Sequence, residues 1–580
     1  MQSCPARTKG TIATLAVLAT VLLFPAGVSA EMRAAERTRR EKSFTVEHKY
    51  LVMPIQNKGR GNTVIHLYID DEKVRQHKLQ PAPSAEETDW YAYFTIEGYK
   101  GKEARVVVDS ATDEGFALIR PSDTIPGEEN FYKEPHRPQF HFSQKVGWNN
   151  DVNGTVYHGG KWHLFFQHNP VGLGHPRICP GNKTWGHATS TDLVHWEQQP
   201  NKLFPATMAV GQCFSGSATV DKKNTAGWGE NALVAIFTDT GCGEAVAYST
   251  DGGESFTYYE GNPVVKHKGR DPKVIWYEYD DDDEPLNAKT EELGGHWVMA
   301  VFAEHGKKIA FYTSSNLKDW AVQSHLPGYY ECPELFELPV DGNEDDTRWV
   351  VFAADARYAV GRFDGRVFTP EHEGKHQVHH GPYYASQCFN HAPDGRVIQI
   401  GWAMWKPYLK GDGAPGPYNQ HFSFPHELTL RTTADGIRMF AKPVKEIEEL
   451  RIKSHRADAQ PLAGGKPVSL PVGTDLLDIR LDFEVGTARS IVLNLPGRSV
   501  GYDARGRKVH RTPLEPVDGR VSLQVLADRS LTEISGNDGR VCISGGGPAK
   551  IENPGPVSVT AHGGDAKLVS LEVHELKSIW

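Results

Sequence analysis

Short runs that alternate apolar and polar residues open the ordered part of the chain. They begin near Phe44 and end near Ile119, and turn-forming residues bound each of them. A period of two residues is typical of strands that bury one face. The clearest runs are Thr63–Ile69, Trp90–Ile96 and Ala104–Val108. We therefore predict a small N-terminal β domain at 31–125, led by a charged linker at 31–42.

The middle of the chain repeats one unit, an apolar or aromatic strand followed by a polar hairpin. Five such strands start 48 to 70 residues apart, at Trp162–Phe166, Ala232–Phe237, Trp297–Phe302, Trp349–Phe352 and Val397–Trp402. This spacing leaves room for one four-stranded blade per repeat. The pattern predicts a five-bladed β-propeller at 136–445, with a pair of β-sandwiches as the alternative.

Alternation returns in the last part of the chain, at Leu477–Phe483, Ser490–Leu495 and Val521–Leu526. It predicts a C-terminal β-sandwich at 455–580. Helical periodicity is weak and confined to Pro443–Ile452, where a link between the two domains belongs. The predicted fold is therefore all-β.

Charge and the N-terminal segment narrow the function classes. The 580 residues include 63 Lys and Arg against 73 Asp and Glu, a net charge of −10 that repels polyanions, so nucleic acid is not an expected partner. Arg7 and Lys9 precede an apolar run, Thr11–Phe24, and small residues follow as far as Ala30. This favours a signal peptide at 1–30, cleaved near Ala30, over a membrane anchor, because a span needs roughly 20 apolar residues. We expect a secreted or periplasmic protein without a membrane span, and its oligomeric state is open.

Motifs for nucleotide binding and for cysteine-based metal binding are missing from the sequence. It contains no Walker loop and no CxxC pattern, and its 26 His are scattered. The pair His379-His380 is more typical of a surface loop than of a metal site, and the acidic run Asp280–Glu284 is typical of a solvated hairpin tip. We expect neither a metal nor a cofactor.

Three isolated carboxylates stand out in the propeller region: Asp151, Asp271 and Glu331. Each lies beside Asn, Pro or Gly, and the spacing places each at the opening of a different blade. The inner strands of a propeller surround one axial cleft, so residues at corresponding blade positions converge there. The sequence therefore predicts one site that contains all three.

The motifs around these acids resemble glycoside hydrolase family 32, the fructan hydrolases and invertases. The resemblance rests on Asn150–Gly154, Phe214–Ser217, Arg270–Pro272 and Glu331-Cys332, with support from Gln167–Pro170, Trp185–Ala188, Asp528–Ser530 and Glu533. It covers roughly 140–580, whereas 31–125 is an addition that many members lack. Any one tetrapeptide is weak, but the ordered set is specific.

The resemblance implies retaining hydrolysis of terminal β-D-fructofuranosyl units from levan, inulin or sucrose, with exo action at the chain end. Asp151 is then the nucleophile, Glu331 the acid and base, and Asp271 a stabiliser of sugar hydroxyls. The amides of an Asn153-Gly154 turn are expected to favour ionised Asp151, and the charges of Asp151 and Asp271 to raise the pKa of Glu331. The resemblance also assigns Asn150, Gln167, Phe214, Ser215 and Arg270 to the sugar pocket, with Trp402 or Trp405 as a further wall.

Two departures from the family pattern bear on the site, the first on placement of the nucleophile and the second on substrate preference. Val152 replaces a Pro within the first motif, and the stretch Val171–Thr184 lacks the Trp that members commonly carry there. Two alternatives stay open at this point. One is a propeller furanosidase acting on arabinan-type chains, and the other is a fructan-binding protein without catalysis.

Overall fold

The computed structural model describes residues 37–58, 63–174, 183–205, 211–303, 307–408, 414 and 416–580. The predicted signal peptide at 1–30 lies outside these residues. Within the described part, no helix is long and apolar enough to cross a membrane. The described residues contain two short α-helices, four 3₁₀ helices and 43 strands. The α-helices α1 and α2 span Asp113–Ala117 and Ala288–Leu293, and the 3₁₀ helices span Glu97–Tyr99, Glu128–Asn130, Lys406–Tyr408 and Lys445–Leu450.

The N-terminal β domain consists of two antiparallel sheets. Four strands form one sheet in the order β1-β6-β3-β4, and three form the other in the order β5-β2-β7. Leu51, Ile65, Phe94 and Val106 lie in the core between the two sheets. The strands β1 to β7 span Thr38–Thr45, Tyr50–Ile55, Thr63–Ile69, Glu72–Leu79, Trp90–Thr95, Glu103–Ala111 and Arg120–Ser122.

Five blades follow, each built around one of the five repeated runs, and they form the predicted five-bladed β-propeller. Blade 1 contains β8 to β11, at Gly147–His158, Lys161–Asn169, Thr184–Ser190 and Glu197–Leu203. Blade 2 contains β12 to β15, at Cys213–Asp221, Ala232–Asp239, Gly243–Ser249 and Thr257–Tyr258. Blade 3 contains β16 to β19, at Gly269–Glu278, Gly295–Ala303, Lys308–Ser314 and Ala321–Pro327.

Blades 4 and 5 are joined by a parallel pairing of Val340 with Leu430. Blade 4 contains β20 to β23, at Glu334–Val340, Asn343–Phe352, Arg357–Phe363 and Phe368–Pro370, and the two-residue strands β24 and β25 follow at His376–Gln377 and His379–His380. Blade 5 contains β26, β27, β29 and β30, at Tyr383–Cys388, Val397–Ala403, His426–Thr433 and Gly436–Pro443. Between its strands, β28 at Tyr418–Asn419 pairs with β8, which connects the last blade to the first.

The five runs found in the sequence are the second strands of the blades, namely β9, β13, β17, β21 and β27. Flanked by neighbours on both sides, these strands are buried on both faces, so they contain nearly continuous apolar residues. The innermost strands β8, β12, β16, β20 and β26 line the axis, and all of them except β20 are more polar than the second strand of their blade.

The polar hairpins that recur between third and fourth strands share one hydrogen bond. In each, a Ser hydroxyl donates to the Asp or Asn side chain two residues later, an arrangement that closes a tight turn. The pairs are Ser190 with Asp192 at 3.0 Å, Ser249 with Asp251 at 2.7 Å and Ser314 with Asn316 at 3.2 Å. The sequence repeat is thus a repeated turn.

The C-terminal β-sandwich has a large and a smaller sheet that enclose an aliphatic core, including Leu481, Leu493, Val525 and Leu571. Its strands β31 to β36 span Arg451–Ala457, Gln460–Leu462, Val468–Leu470, Leu477–Glu484, Ser490–Leu495 and Arg498–Asp503. Strands β37 to β43 span Lys508–Val509, Thr512–Pro513, Arg520–Ala527, Leu531–Gly536, Val541–Gly546, Val557–His562 and Ala566–Leu576. The weak helical pattern before it becomes the 3₁₀ helix Lys445–Leu450.

Two local predictions are wrong. The predicted linker at 31–42 is in part strand β1, which begins at Thr38 and pairs with β6. The pair His379-His380 is strand β25, which pairs in parallel with β41 of the sandwich sheet, and His379 is only 2% exposed. Its ring stacks on Tyr383 at 4.0 Å between centroids. Tertiary packing against the next domain buries this pair, an effect that two polar residues in sequence do not reveal.

Candidate active site

The structure brings Asp151, Asp271 and Glu331 to one end of the propeller axis. Asp151 lies in β8 and Asp271 in β16, and Glu331 lies three residues before β20, so each acid belongs to the inner strand of a different blade. Their mutual approach is visible in the electrostatics. After burial, the charges of Glu331 and then Asp151 are the main causes that raise the pKa of Asp271, to about 8.

Asp151 accepts a hydrogen bond from the Ser215 hydroxyl of β12 at 2.7 Å. The expected Asn153-Gly154 turn is wrong: β8 runs on through these residues, with irregular register between Asn153 and Val156. Gly154 has φ +52°, and a Cβ there would approach the rings of Phe165 and Trp185 to 2.9 Å. A glycine is therefore needed to bend the strand against the blade core.

Asp271 is held in a sharply bent segment of β16. Its φ is +65°, its N–H donates to Thr238 Oγ1 at 2.9 Å, and its Oδ2 accepts from the Cys332 N–H at 3.3 Å. The side chain is 5% exposed. Left-handed backbone is uncommon for a residue with a side chain and costs energy, so the surrounding contacts must hold Asp271 in this conformation.

Glu331 has two strong partners. Arg270 donates to its Oε2 from Nε at 2.9 Å and from Nη2 at 2.6 Å, and the Tyr384 hydroxyl donates to Oε1. Burial and then the charge of Glu331 raise the pKa of Tyr384, which keeps this hydroxyl a donor. Arg270 also lies 5.1 Å from the centre of the Phe302 ring. A raised carboxyl pKa is found at Asp271, where burial is the largest cause.

The other predicted pocket residues surround these acids. Asn150 and Gln167 are buried, and Asn150 Nδ2 and Gln167 Oε1 have no hydrogen-bond partner among the described residues. Phe214 lies under the ammonium of Lys183, 4.0 Å from the ring centre. Buried amide groups without partners are costly, so they indicate a surface built to bind polar groups.

Two predicted features have different surroundings. Val152 is fully buried and paired with Phe166 across the ladder, so it serves the blade core. Trp402 and Trp405 are 5% and 6% exposed, and Gln420 Oε1 accepts from Trp402 Nε1 and from the Trp405 backbone N–H. Both indoles thus pack into blade 5 rather than standing free.

Sequence reasoning missed Tyr384, Lys183 and Tyr330. Tyr384 lies in β26, the inner strand of blade 5, which contributes no acid, so only the search for corresponding blade positions would have pointed to it. Tyr330 precedes Glu331, is 39% exposed, and packs on Phe302 with 5.0 Å between ring centres. It is the only aromatic residue among the large hydrophobic side chains that are exposed in the described ranges.

No group of three or more His, Cys, Asp or Glu side chains in the described part of the chain is arranged to hold a metal ion. Four of the cysteines it contains, Cys242, Cys332, Cys388 and Cys542, have free thiols. Burial and then the charges of Asp271, Asp151 and Glu331 raise the pKa of Cys332, so its thiol is neutral beside the acids.

Comparison with known families decides the classification. The model for the glycosyl hydrolases family 32 N-terminal domain matches residues 141–443, and the model for the family's C-terminal domain matches 487–575. The chain belongs to glycosyl hydrolases family 32. This confirms the family to which the sequence motifs pointed, and with it a glycoside hydrolase.

Individual family 32 relatives agree. The chain is 34% identical over 513 residues to a levanase of Bacillus subtilis (strain 168), covering 78% of this chain and 72% of the relative. It is 28% identical over 541 residues to an extracellular exo-inulinase of Aspergillus ficuum, covering 77% and 96%.

Solved structures show the same fold. An exo-inulinase from Aspergillus awamori superimposes with a TM-score of 0.66 at 26% identity, covering 77% of this chain and 100% of that one. A fructofuranosidase variant from Schwanniomyces occidentalis, complexed with fructosylnystose, gives a TM-score of 0.67 at 27% identity, covering 77% and 99%. The propeller and the C-terminal sandwich are therefore confirmed as the fold.

Proposed function

We propose that this family 32 enzyme hydrolyses terminal β-D-fructofuranosyl bonds of fructans such as levan or inulin, and also of sucrose, with retention of configuration. The observation that carries this proposal is the convergence of Asp151, Asp271 and Glu331 at one end of the axis, joined by Arg270, Ser215 and Tyr384. The relatives named levanase and exo-inulinase support the substrate class.

Asp151 acts as the nucleophile that attacks the anomeric carbon. The Ser215 hydroxyl at 2.7 Å orients one carboxylate oxygen and leaves the other for the sugar. Because retention needs a covalent glycosyl-enzyme, Asp151 and Glu331 must stand on opposite sides of the bond, about 5–5.5 Å apart.

Glu331 protonates the leaving oxygen and later takes the proton from water. Its Arg270 and Tyr384 partners fix the carboxyl so that little reorganisation is needed when the substrate arrives. The substrate's leaving group therefore binds on the Glu331 side of the pocket, where Arg270 is within reach of its hydroxyls.

Asp271 binds sugar hydroxyls. With a pKa raised to about 8 by burial and by the neighbouring carboxylates, Asp271 holds a proton at neutral pH and both donates and accepts hydrogen bonds. Asn150 and Gln167, each with an unpartnered amide atom, supply further contacts for the fructosyl unit, and Phe214 covers its ring.

Tyr330 supplies an aromatic wall on the leaving-group side of the pocket. Its ring is exposed beside Glu331 and is supported from behind by Phe302. An exposed ring with a rigid support is suited to stack on a sugar face at low entropic cost. The absence of a Trp from Val171–Thr184 is thereby offset.

The assay that tests this function incubates the purified protein with levan, inulin, sucrose and an arabinan, and follows the released sugars over time. Free fructose without intermediate oligosaccharides is expected, since an axial pocket admits one chain end. Early oligosaccharides would indicate internal cleavage, and arabinose would move the enzyme to another furanosidase class. Binding without release would contradict catalysis altogether.

Export and domain division belong to the same proposal. The basic and apolar start of the sequence, together with a relative described as extracellular, supports secretion after cleavage near Ala30. We place the domains at 31–125, 136–445 and 455–580. Sequencing the N-terminus of the exported protein tests the cleavage site. Limited proteolysis tests the domain boundaries, which should be cut around 126–135 and 446–454.

A further inference from the structure

A fully buried ion pair lies in the propeller axis beside the acids. Lys273 Nζ is 2.7 Å from Glu334 Oε2, and the two side chains are 2% and 1% exposed. Both charges also bind the main chain of Cys388, since Lys273 donates to its carbonyl at 2.8 Å and its N–H donates to Glu334 Oε2 at 2.8 Å. The pair and one peptide unit thus form a closed three-way contact.

The three partners follow directly after three groups of the site. Lys273 is two residues beyond Asp271 on β16, Glu334 is three beyond Glu331 at the start of β20, and Cys388 is four beyond Tyr384 at the end of β26. The contact therefore links the inner strands of blades 3, 4 and 5, close to the points from which the three groups project.

Glu331 in particular needs such an anchor. It lies outside regular structure, next to Cys332 with a φ of +47°, and its carbonyl is held by the Ala354 N–H at 2.9 Å. Ala354 in turn accepts from the Ala385 N–H of β26 at 3.1 Å. Glu334 is the first residue after this irregular segment to join the blade 4 ladder. Its position therefore fixes the end of the segment that carries Glu331.

Stability does not explain the pair. Burying two charges costs several kcal/mol of desolvation, and apolar residues of similar volume often serve as well or better. Glu334 Oε1 has no hydrogen-bond partner among the described residues, and burial keeps the pKa of Glu334 raised despite Lys273. What the ion pair offers over apolar packing is direction, because its hydrogen bonds fix register between strands.

We propose that the Lys273–Glu334 pair, bonded to Cys388, is a positioning device that sets the relative register of the inner strands of blades 3, 4 and 5 and so holds Asp271, Glu331 and Tyr384 in their mutual arrangement. The proposal rests on the catalytic roles proposed above. Neither residue touches the substrate, and both act through the strands that carry the acids.

The test replaces both charges at once, as Lys273→Met with Glu334→Leu, so that no unpaired charge is left buried. We expect kcat on sucrose and inulin to fall about 10- to 100-fold with KM within about threefold, because misplacement by ~1 Å costs roughly that much in rate. The pH profile of kcat/KM is expected to shift, while the thermal midpoint stays within a few degrees. A kcat within twofold of wild type in the folded double variant would overturn the proposal.

Two further variants separate positioning from general packing. The isostere Glu334→Gln retains groups able to bond Lys273 and the Cys388 N–H, so it should keep kcat within about threefold of wild type. An equal loss in E334Q and the double variant would overturn a role in register. The matched control is Arg451→Met with Asp478→Leu, which removes a buried pair, 2.6 Å apart, that lies in the C-terminal sandwich. It should keep wild-type kcat, and a comparable loss there would also count against the proposal.

The proposed function is checked first on the wild-type chain. If that releases no fructose from any substrate, the function fails, and the positioning role is then judged from a crystal structure of the double variant. We expect the 2.6 Å contact between Arg270 Nη2 and Glu331 Oε2 to be lost or displaced there. An unchanged arrangement of Asp271, Glu331 and Tyr384 would overturn it.

Discussion

Two regions of this enzyme bury clustered carboxylates: the axial site and a cluster of His141, Asp528 and Glu533 between the propeller and the C-terminal sandwich. In the second, which we call the junction cluster, His141 Nδ1 is 3.0 Å from Asp528 and Nε2 is 3.1 Å from Glu533. Asp528 also accepts from the N–H groups of Gln139 and Phe140, and Glu533 from that of Phe424. Every carboxylate there faces donors.

The pKa of Asp271 and the pKa values of the two junction acids move in opposite directions. At the junction, burial opposes ionisation, but hydrogen bonds with His141 and main-chain N–H groups outweigh it and hold the pKa values of Asp528 and Glu533 below their usual range. Burial also opposes the charge on His141, yet its two acid partners raise its pKa to about 9. In the axial site, like charges and burial act together on Asp271.

The comparison separates carboxylates that stabilise a fold from those kept for chemistry. A buried acid surrounded by donors lowers the energy of the native state. An acid beside other acids raises the energy of the native state. Such an arrangement persists only where the reaction requires it. The family motifs include members of both clusters, so motif membership alone does not distinguish the two roles.

The largest expected effect is on catalysis. Asp151→Asn and Glu331→Gln should each lower kcat on the order of 10³-fold or more, because each removes a group that bonds to reacting atoms. Steady-state assays on sucrose and inulin measure this, and circular dichroism checks the fold. Asp282→Asn, in the exposed acidic loop, is the control, and near-normal turnover in either active-site variant would contradict the assignment.

His141→Leu should destabilise the junction cluster and leave catalysis nearly unchanged. It leaves two buried carboxylates without their cation, which costs about 3 kcal/mol of unfolding free energy. We expect a lower thermal midpoint with kcat within about threefold of wild type at 25 °C. His325→Leu, on an exposed outer strand, should leave the midpoint unchanged. A strong loss of kcat in folded H141L would contradict the assignment of the junction cluster to fold stability.

The pH dependence of stability should reflect the same proton on His141. Because its pKa is raised in the folded state, its contribution is fully present below about 6.5, the ordinary value, and is lost as pH rises through about 9. Thermal midpoints of wild type and H141L should therefore differ most near pH 6 and converge above pH 9. A difference that grows with pH would show the opposite linkage.

Tyr330→Ala should affect substrates according to their leaving group. For sucrose and inulin we expect kcat/KM to fall about tenfold, which is the size of one lost aromatic–sugar contact, and the loss should be smaller for methyl β-D-fructofuranoside. Tyr330→Phe should retain most of the rate, and Val322→Ala, another exposed apolar position, should behave as wild type. Equal losses on all substrates would refute stacking on the leaving sugar.

The smallest effect is expected from Asp271→Asn on stability. In the folded state the raised pKa keeps Asp271 protonated up to about 8, whereas the unfolded chain ionises it above pH ~4, so folding at pH 7.5 requires uptake of a proton that the Asn variant does not need. The thermal midpoint at pH 7.5 should therefore rise by ~2 °C even as activity falls. Asp528→Asn should lower it, since the junction uses that charge. Midpoints that fall in both variants would show that the two clusters are not opposed.

Local patterns in the sequence predicted most of the fold. Alternation of apolar and polar residues predicted the N-terminal domain and the C-terminal sandwich. The five apolar runs are the second strands of the five blades, and they could be recognised from local sequence because burial on both faces gives a continuous apolar run. Register was not readable. The Asn153-Gly154 segment, taken for a turn, is a bent strand, since the bend depends on Phe165 and Trp185 in adjacent strands.

The site was only partly readable for a similar reason. Asp151, Asp271 and Glu331 were found because each sits in a distinctive short motif. Tyr384 and Lys273 sit in no such motif, and their partners are 53 and 61 residues away along the chain, so only folding brings them together.

The amino-acid sequence by itself determined the family, the all-β architecture and the order of the acids along the chain, because these depend on residue type and on spacing between near neighbours. Tertiary structure decided which carboxyl has the raised pKa, which acid Arg270 binds, and which buried charges support the axis or the junction. Those properties depend on distance and burial, and they are set when strands far apart in sequence pack around one axis.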